Sequence, residues 1–282
     1  MVGRYFWSQI WKYGQTNVMN INLNSLAPAV CMVLVGVMAV FIASRRWHVS
    51  WRVLGAGAAL WVGAVALKFG CAVMGNAFVT RWLHAELPRS CADAAFWCYV
   101  GLLTGIFECG IFLVVAPLIT RRQWRWGEAM SLGVGFGAIE AVGVAVASGL
   151  AAGKTGASSG LLTWIGALLP AFERLIALAI HVAATVMILR ALVNRQWRWF
   201  WVSFIYKSAV DCVAAWVILS GTRLRSSPWL MEWLCFMPFA VIGVCALIYL
   251  RREWDKEGLA LAAIAKSRST RSVACGLAPD AT

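Results

Sequence analysis

Seven stretches of this chain are long and apolar enough to cross a bilayer, and that constrains its fold more than anything else in the sequence. They lie at about 25–44, 53–80, 94–120, 127–152, 160–193, 199–221 and 229–250; crossing the hydrocarbon core takes about 20 residues at ~1.5 Å rise each. In lipid, backbone N–H and C=O groups must be satisfied within the protein, so apolar runs of this length are read as helices. The expected fold is therefore all-α, a polytopic bundle of about seven transmembrane helices. Composition leaves little room for a soluble domain, since 61% of the residues are hydrophobic and 13% charged. The chain divides into an N-terminal interfacial segment over 1–24, a transmembrane domain over 25–250 and a basic tail over 251–282. The tail's polar composition suggests disorder or a place on the inner leaflet.

The formal net charge of +13 raises the question of a nucleic-acid partner, and its placement answers it. Arg45, Arg46 and Arg52 follow the first run, Arg121, Arg122 and Arg125 the third, and Arg190, Arg195 and Arg198 the fifth. With the tail this puts 15 basic residues on one side, against 7 (Arg4, Lys12, Arg81, Arg89, Lys154, Arg223, Arg225) on the other. Basic residues concentrated on alternate loops are the positive-inside pattern. It predicts an exterior N-terminus, a cytoplasmic C-terminus and an odd number of spans. The expected partners are the lipid bilayer and a membrane protein or peptide, with no nucleic acid, and the expected location is the bacterial cytoplasmic membrane. "RQWRW" occurs at 122–126 and again at 195–199, indole and guanidinium together at headgroup depth. The first run ends in Arg-Arg with no small-residue cleavage site, so it reads as a retained span. The nine cysteines include no CxxC pair and mostly fall inside spans; Cys91 and Cys98 are placed where they could face an oxidising exterior.

With loops and helix ends set aside, eight ionisable residues remain inside the runs: Lys68, Glu108, Glu140, Glu173, Arg174, His181, Lys207 and Asp211. A charge at the bilayer centre costs roughly 2.5–3.5 kcal/mol or more, so such residues mark working sites. Glu108 precedes Arg121 by 13 residues, Glu140 follows Trp126 by 14, and Asp211 follows Arg198 by 13. All three therefore lie roughly 20 Å from the inner face. His181 and Lys207 are each 9 residues from a basic anchor, about one turn nearer the cytoplasm. Lys207 and Asp211 share a helical face, as do Phe136 and Glu140, and Glu173 and His181. Structural ion pairs, Lys207 with Asp211 and Arg174 with a glutamate, are one reading of this layer. The other is a metal or proton site, because carboxylates and a histidine converging from several helices are what a divalent metal and its activated water require.

Four motifs, "GIFECGIF" (105–112), "GVGFGAIEA" (133–141), "FERLIALAIHVAATV" (172–186) and "YKSAVD" (206–211), resemble those of the intramembrane metalloproteases. The similarity is to the PrsW-like and YhfC-like branches of the superfamily that includes CAAX-processing and bacteriocin-processing enzymes. The ERxxAxxxH stretch suggests the YhfC branch. The resemblance implies Glu108 as the base that activates water, with Glu140 as its catalytic partner. It implies Glu140, His181 and Asp211 around zinc or another divalent metal, with Phe136, Glu173 and Arg174 in support.

Three positions depart from that pattern. Cys109 stands where the family has a second glutamate, Phe112 where it has a basic residue, and Lys207 where it has the histidine of HxxxD. An ammonium has no lone pair to give a metal. Three functions therefore stay open: a divergent protease cleaving a membrane-embedded peptide, a pseudoprotease that binds one without a metal cofactor, and a proton-coupled transporter. No inverted repeat or matched pair of broken helices supports the last.

Overall fold

A computed structural model describes residues 26–120, 124–152, 161–220 and 231–276. The interfacial segment 1–24 and the basic residues Arg4, Lys12, Arg121, Arg122, Lys154, Arg223 and Arg225 lie outside the described residues. The described chain is helical, with no strand. Its elements are α1 (Ala27–Trp47), α2 (Trp51–Glu86), α3 (Arg89–Thr104), a π-helical turn (Gly105–Cys109), α4 (Gly110–Val114), α5 (Ala116–Thr120), α6 (Trp126–Ala152), α7 (Leu161–Asn194), α8 (Trp197–Ser220), a second π-helical turn (Glu232–Phe236) and α9 (Met237–Gly276). Seven candidate spans result among the described residues, with Arg89–Val114 counting as one and Trp233–Lys256 as the last.

The first unit of the chain, Met1–Val244, is built on α6 and α7. They are the most covered of the spans. Around them, α6 packs against α1, α2 and α7, α7 also against α1 and α8, and α3 against α8. The "GVGFG" segment explains why α6 can sit among three neighbours. A Cβ on Gly135 would stand 2.0 Å from the Leu54 carbonyl oxygen, and one on Gly57 would stand 2.1 Å from that of Leu132. The α2–α6 crossing is thus backbone against backbone, as small residues allow in membrane bundles. Outward-facing side chains are large and apolar, such as Met74, Phe78, Val114 and Leu118, as contact with acyl chains requires.

Local signals set the helix ends. Ser50 caps α2, its hydroxyl accepting from the Arg52 N–H at 3.2 Å, and Pro88 precedes the first residue of α3. Pro170 lies inside α7, where it removes one helical hydrogen bond a few residues before Glu173 and Arg174.

The second unit is Cys245–Thr282. There α9 stays helical to Gly276, across most of the stretch whose composition suggested disorder. Alanine, leucine, lysine and arginine are all strong helix formers. Ion pairs Arg251–Asp255 and Lys256–Glu253, both at 2.9 Å, form on its surface.

Candidate functional site

Glu108 owes its position to the π-helical turn. A π turn carries one extra residue and re-aims the side chains after it, and within Gly105–Cys109 it leaves Glu108 buried at 4% exposure. Two lysines hold that carboxylate from opposite sides. Lys68 Nζ on α2 is 2.6 Å from Oε1, and Lys207 Nζ on α8 is 2.9 Å from Oε2. The Lys207 contact is close but poorly aligned, so Oε2 is ion-paired without a well-directed hydrogen bond. From there the charges continue in both directions.

On one side, Lys68 Nζ also lies 3.6 Å from Asp211 Oδ2 and 3.3 Å from Thr104 Oγ1, while the Thr104 hydroxyl donates to Asp211. On the other, Lys207 Nζ is 3.3 Å from His181 Nδ1, and His181 Nε2 pairs with Glu140 Oε2. Glu140 also takes Arg174 Nη1 at 2.8 Å and the Trp61 indole N–H at 3.1 Å. Arg174 reaches on to Glu173, the most exposed member.

The eight ionisable residues singled out by depth thus form one continuous row: Asp211, Lys68, Glu108, Lys207, His181, Glu140, Arg174, Glu173. Acidic and basic groups alternate along it, with His181 linking Lys207 to Glu140. The Lys207 ammonium lies 3.3 Å from His181 Nδ1 and 3.5 Å from Nε2, beside both ring nitrogens rather than along one lone pair, while Nε2 also meets Glu140. Each charge has an opposite neighbour, which is the condition for keeping it out of water.

The pairing differs from the one expected along α8. Lys207 and Asp211 are a turn apart, yet Lys207 reaches Glu108 and Asp211 is met by Lys68. The long lysine stem spans the gap between helices, and both ammonium groups can bear on the one buried carboxylate. Lys68, Thr104 and Trp61 are the partners that motif reasoning missed. Lys68 follows Arg52 by 16 residues, which puts it in the same slab at about 24 Å; that count was the available signal.

Glu108, Lys207 and His181 line one small cavity together with Cys109, Phe112 and Phe136; Glu140 and Asp211 join the row to either side of it. The departures fill the walls. Phe112 stacks on Phe136 with centroids 5.9 Å apart, and Phe136 lies 5.2 Å from the His181 ring. The buried Cys109 thiol touches Ser203 Oγ at 3.9 Å.

The donor set does not fit the divalent metal that the metalloprotease resemblance implies. Among the described residues, no group of three or more His, Cys, Asp and Glu side chains is placed to hold one. The physical reason is visible atom by atom. Both Glu108 oxygens face ammonium groups, Glu140 is held by a guanidinium, an indole and His181, and the Lys207 ammonium lies within 3.5 Å of both imidazole nitrogens. Positive charge in this layer is supplied by side chains.

No curated protein and no solved structure matches the chain. A family model described as YhfC intramembrane metalloprotease matches residues 31–157 and 157–234. That match takes in α1 through α8, all four motifs and every member of the charged row, so this multi-pass membrane protein belongs to the YhfC intramembrane metalloprotease family.

Proposed function

We propose that this chain is a metal-independent member of its family, acting in the bacterial cytoplasmic membrane by binding a membrane-embedded peptide rather than hydrolysing it. One observation carries this reading: the Lys207 ammonium lies 2.9 Å from Glu108 and 3.3 Å from His181, between the base and the ligand that a metallopeptidase needs. A carboxylate acts as base on a water held beside it, and an ammonium stands 2.6 Å from one Glu108 oxygen and 2.9 Å from the other, crowding that position. A histidine ligates only through a free lone pair, and the Lys207 ammonium stands within 3.5 Å of both His181 ring nitrogens, where a metal cation would have to approach. The cavity between them is smaller than a catalytic pocket, with room for about one water molecule.

In this role the row is a framework. Pairing fixes the register of α2, α3, α6, α7 and α8 against one another, and a fixed bundle presents a constant surface to a partner helix. Buried ion pairs are poor sources of stability but hold geometry.

The test is to purify wild type and Lys207→His in parallel, measure bound zinc by elemental analysis, and assay cleavage of a set of single-span peptides in proteoliposomes. Wild type should carry no stoichiometric zinc and cut nothing, while photo-crosslinking to at least one peptide should be retained. Lys207→His replaces the blocking ammonium with an imidazole and should take up zinc. Stoichiometric zinc with peptide cleavage in the wild type would overturn the proposal and restore Glu108 to the role of base.

A further inference from the structure

We propose that Cys98 and Cys212 form a reversible thiol–disulfide pair linking α3 to α8, oxidised by a lipid-soluble quinone. Their Sγ atoms are 3.7 Å apart. This is van der Waals contact between sulfurs on two different helices, within a side-chain rotation of the ~2.05 Å bond.

The backbone is close enough to permit the bond. A Cβ on Gly101 would stand 2.8 Å from the Cys212 backbone nitrogen and 2.9 Å from its Cβ, so α3 meets α8 backbone to backbone at this level. Gly101 lies one turn after Cys98 on the same face of α3. Disulfides form where Cα atoms are within about 7 Å of each other, and a crossing this tight is where two helices offer that. Cys91 and Cys98, the two cysteines placed to face an oxidising exterior, cannot form it with each other within one chain. Both lie on α3, and seven residues of helix separate them by ~10.5 Å. Cys109 is unsuited for another reason: it is buried against Ser203.

Accessibility selects the oxidant. Cys98 is exposed and Cys212 half-exposed, but both belong to membrane-spanning helices, so what reaches them dissolves in acyl chains. The stoichiometry is closed. Two S–H bonds break and one S–S bond forms; the two electrons and two protons reduce one quinone to its quinol. A thiol reductant reverses the step.

Its position gives the bond a consequence. α3 runs directly into the π-helical turn that carries Glu108, and Cys212 follows Asp211, the end of the charged row. Oxidation therefore latches the two helices whose separation sets the Thr104–Asp211 contact. None of this depends on the role given to Lys207, and the pair would stand equally in an active protease.

The experiment uses the full-length protein, reduced, desalted and reconstituted in phosphatidylcholine vesicles. It is exposed to duroquinone, whose fully methylated ring resists arylation by thiols. Free thiols are counted by maleimide–polyethylene glycol gel shift, and cross-linked peptides are mapped by mass spectrometry. The expected result is the loss of two of the nine thiols, a single peptide pair joining Cys98 to Cys212, and full recovery with dithiothreitol. Cys98→Ser and Cys212→Ser should each abolish the shift, and Cys91→Ser should leave it intact. Oxidised glutathione outside the vesicles should act at least tenfold more slowly. No thiol loss in folded wild type, or a peptide map joining other cysteines, would overturn the pair; an equal rate with glutathione would overturn the lipid-phase oxidant. The wild-type peptide map decides the matter even if a serine variant fails to fold.

Discussion

Lys207→Met removes the ammonium while keeping a side chain of similar length, and its cost can be worked from the geometry. At 2.9 Å from Glu108 and an effective dielectric of about 20, the lost attraction is about 6 kcal/mol. Against this stands the penalty of several kcal/mol for holding a dehydrated ammonium, which the substitution relieves. Glu108 also keeps Lys68 at 2.6 Å, so its charge is not wholly stranded. The net cost should therefore fall at the low end of the range for breaking a buried pair, about 3 kcal/mol. Adding Glu108→Gln removes the charge that Lys207 no longer balances. The double variant should recover about 2 kcal/mol relative to simple additivity, a coupling typical of residues in direct contact. The measurement is reversible unfolding in mixed dodecyl sulfate and maltoside micelles, followed by tryptophan fluorescence, for wild type, both single variants and the double variant. A coupling energy within about 0.5 kcal/mol of zero, the level seen between independent sites, would refute the assignment of Lys207 as the partner of Glu108.

Three further outcomes are expected. Gly57→Ala should destabilise the bundle by about 1–3 kcal/mol through overpacking, because its Cβ would stand 2.1 Å from the Leu132 carbonyl oxygen. Gly55→Ala, with nothing within 4 Å, should be neutral or slightly stabilising in the same unfolding assay. Arg174→Met removes the guanidinium 2.8 Å from Glu140 and should cost about 3 kcal/mol; Arg174→Lys should restore only part of that, since an ammonium cannot hold Glu140 and Glu173 with one planar fork. A cytoplasm-active reporter fused to the C-terminus should be active and a periplasm-active one silent; the reverse would contradict the charge-derived orientation.

Which features are legible in the sequence depends on which forces act locally. The apolar runs place the helices to within a few residues, as with 127–152 against Trp126–Ala152 and 199–221 against Trp197–Ser220. Hydrocarbon enforces helix wherever such a run occurs, whatever its neighbours do. Depth is legible for the same reason: a helix advances a fixed distance per residue, so counting from Arg198 or Trp126 places Asp211 and Glu140 in one layer with Glu108. The set of eight ionisable residues within the spans also comes from the sequence, because a charge within an apolar run cannot avoid being noticed.

What only the tertiary structure decided is who holds whom. The i, i+4 spacing brings Lys207 and Asp211 together on one face, but a buried ammonium goes to the carboxylate that is driest and nearest, and that is a matter of how helices are rotated. A single extra residue in the π-helical turn at Gly105–Cys109 helps set where Glu108 points, and no periodicity announces it. Lys68 carried no motif and still became the second hand on Glu108. Cys98 found Cys212, 114 residues away, because Gly101 let two helices touch. Hydrophobicity and helical rise are properties of a segment and can be read from it, whereas ion pairing and sulfur contact are properties of a crossing and exist only once the helices have packed.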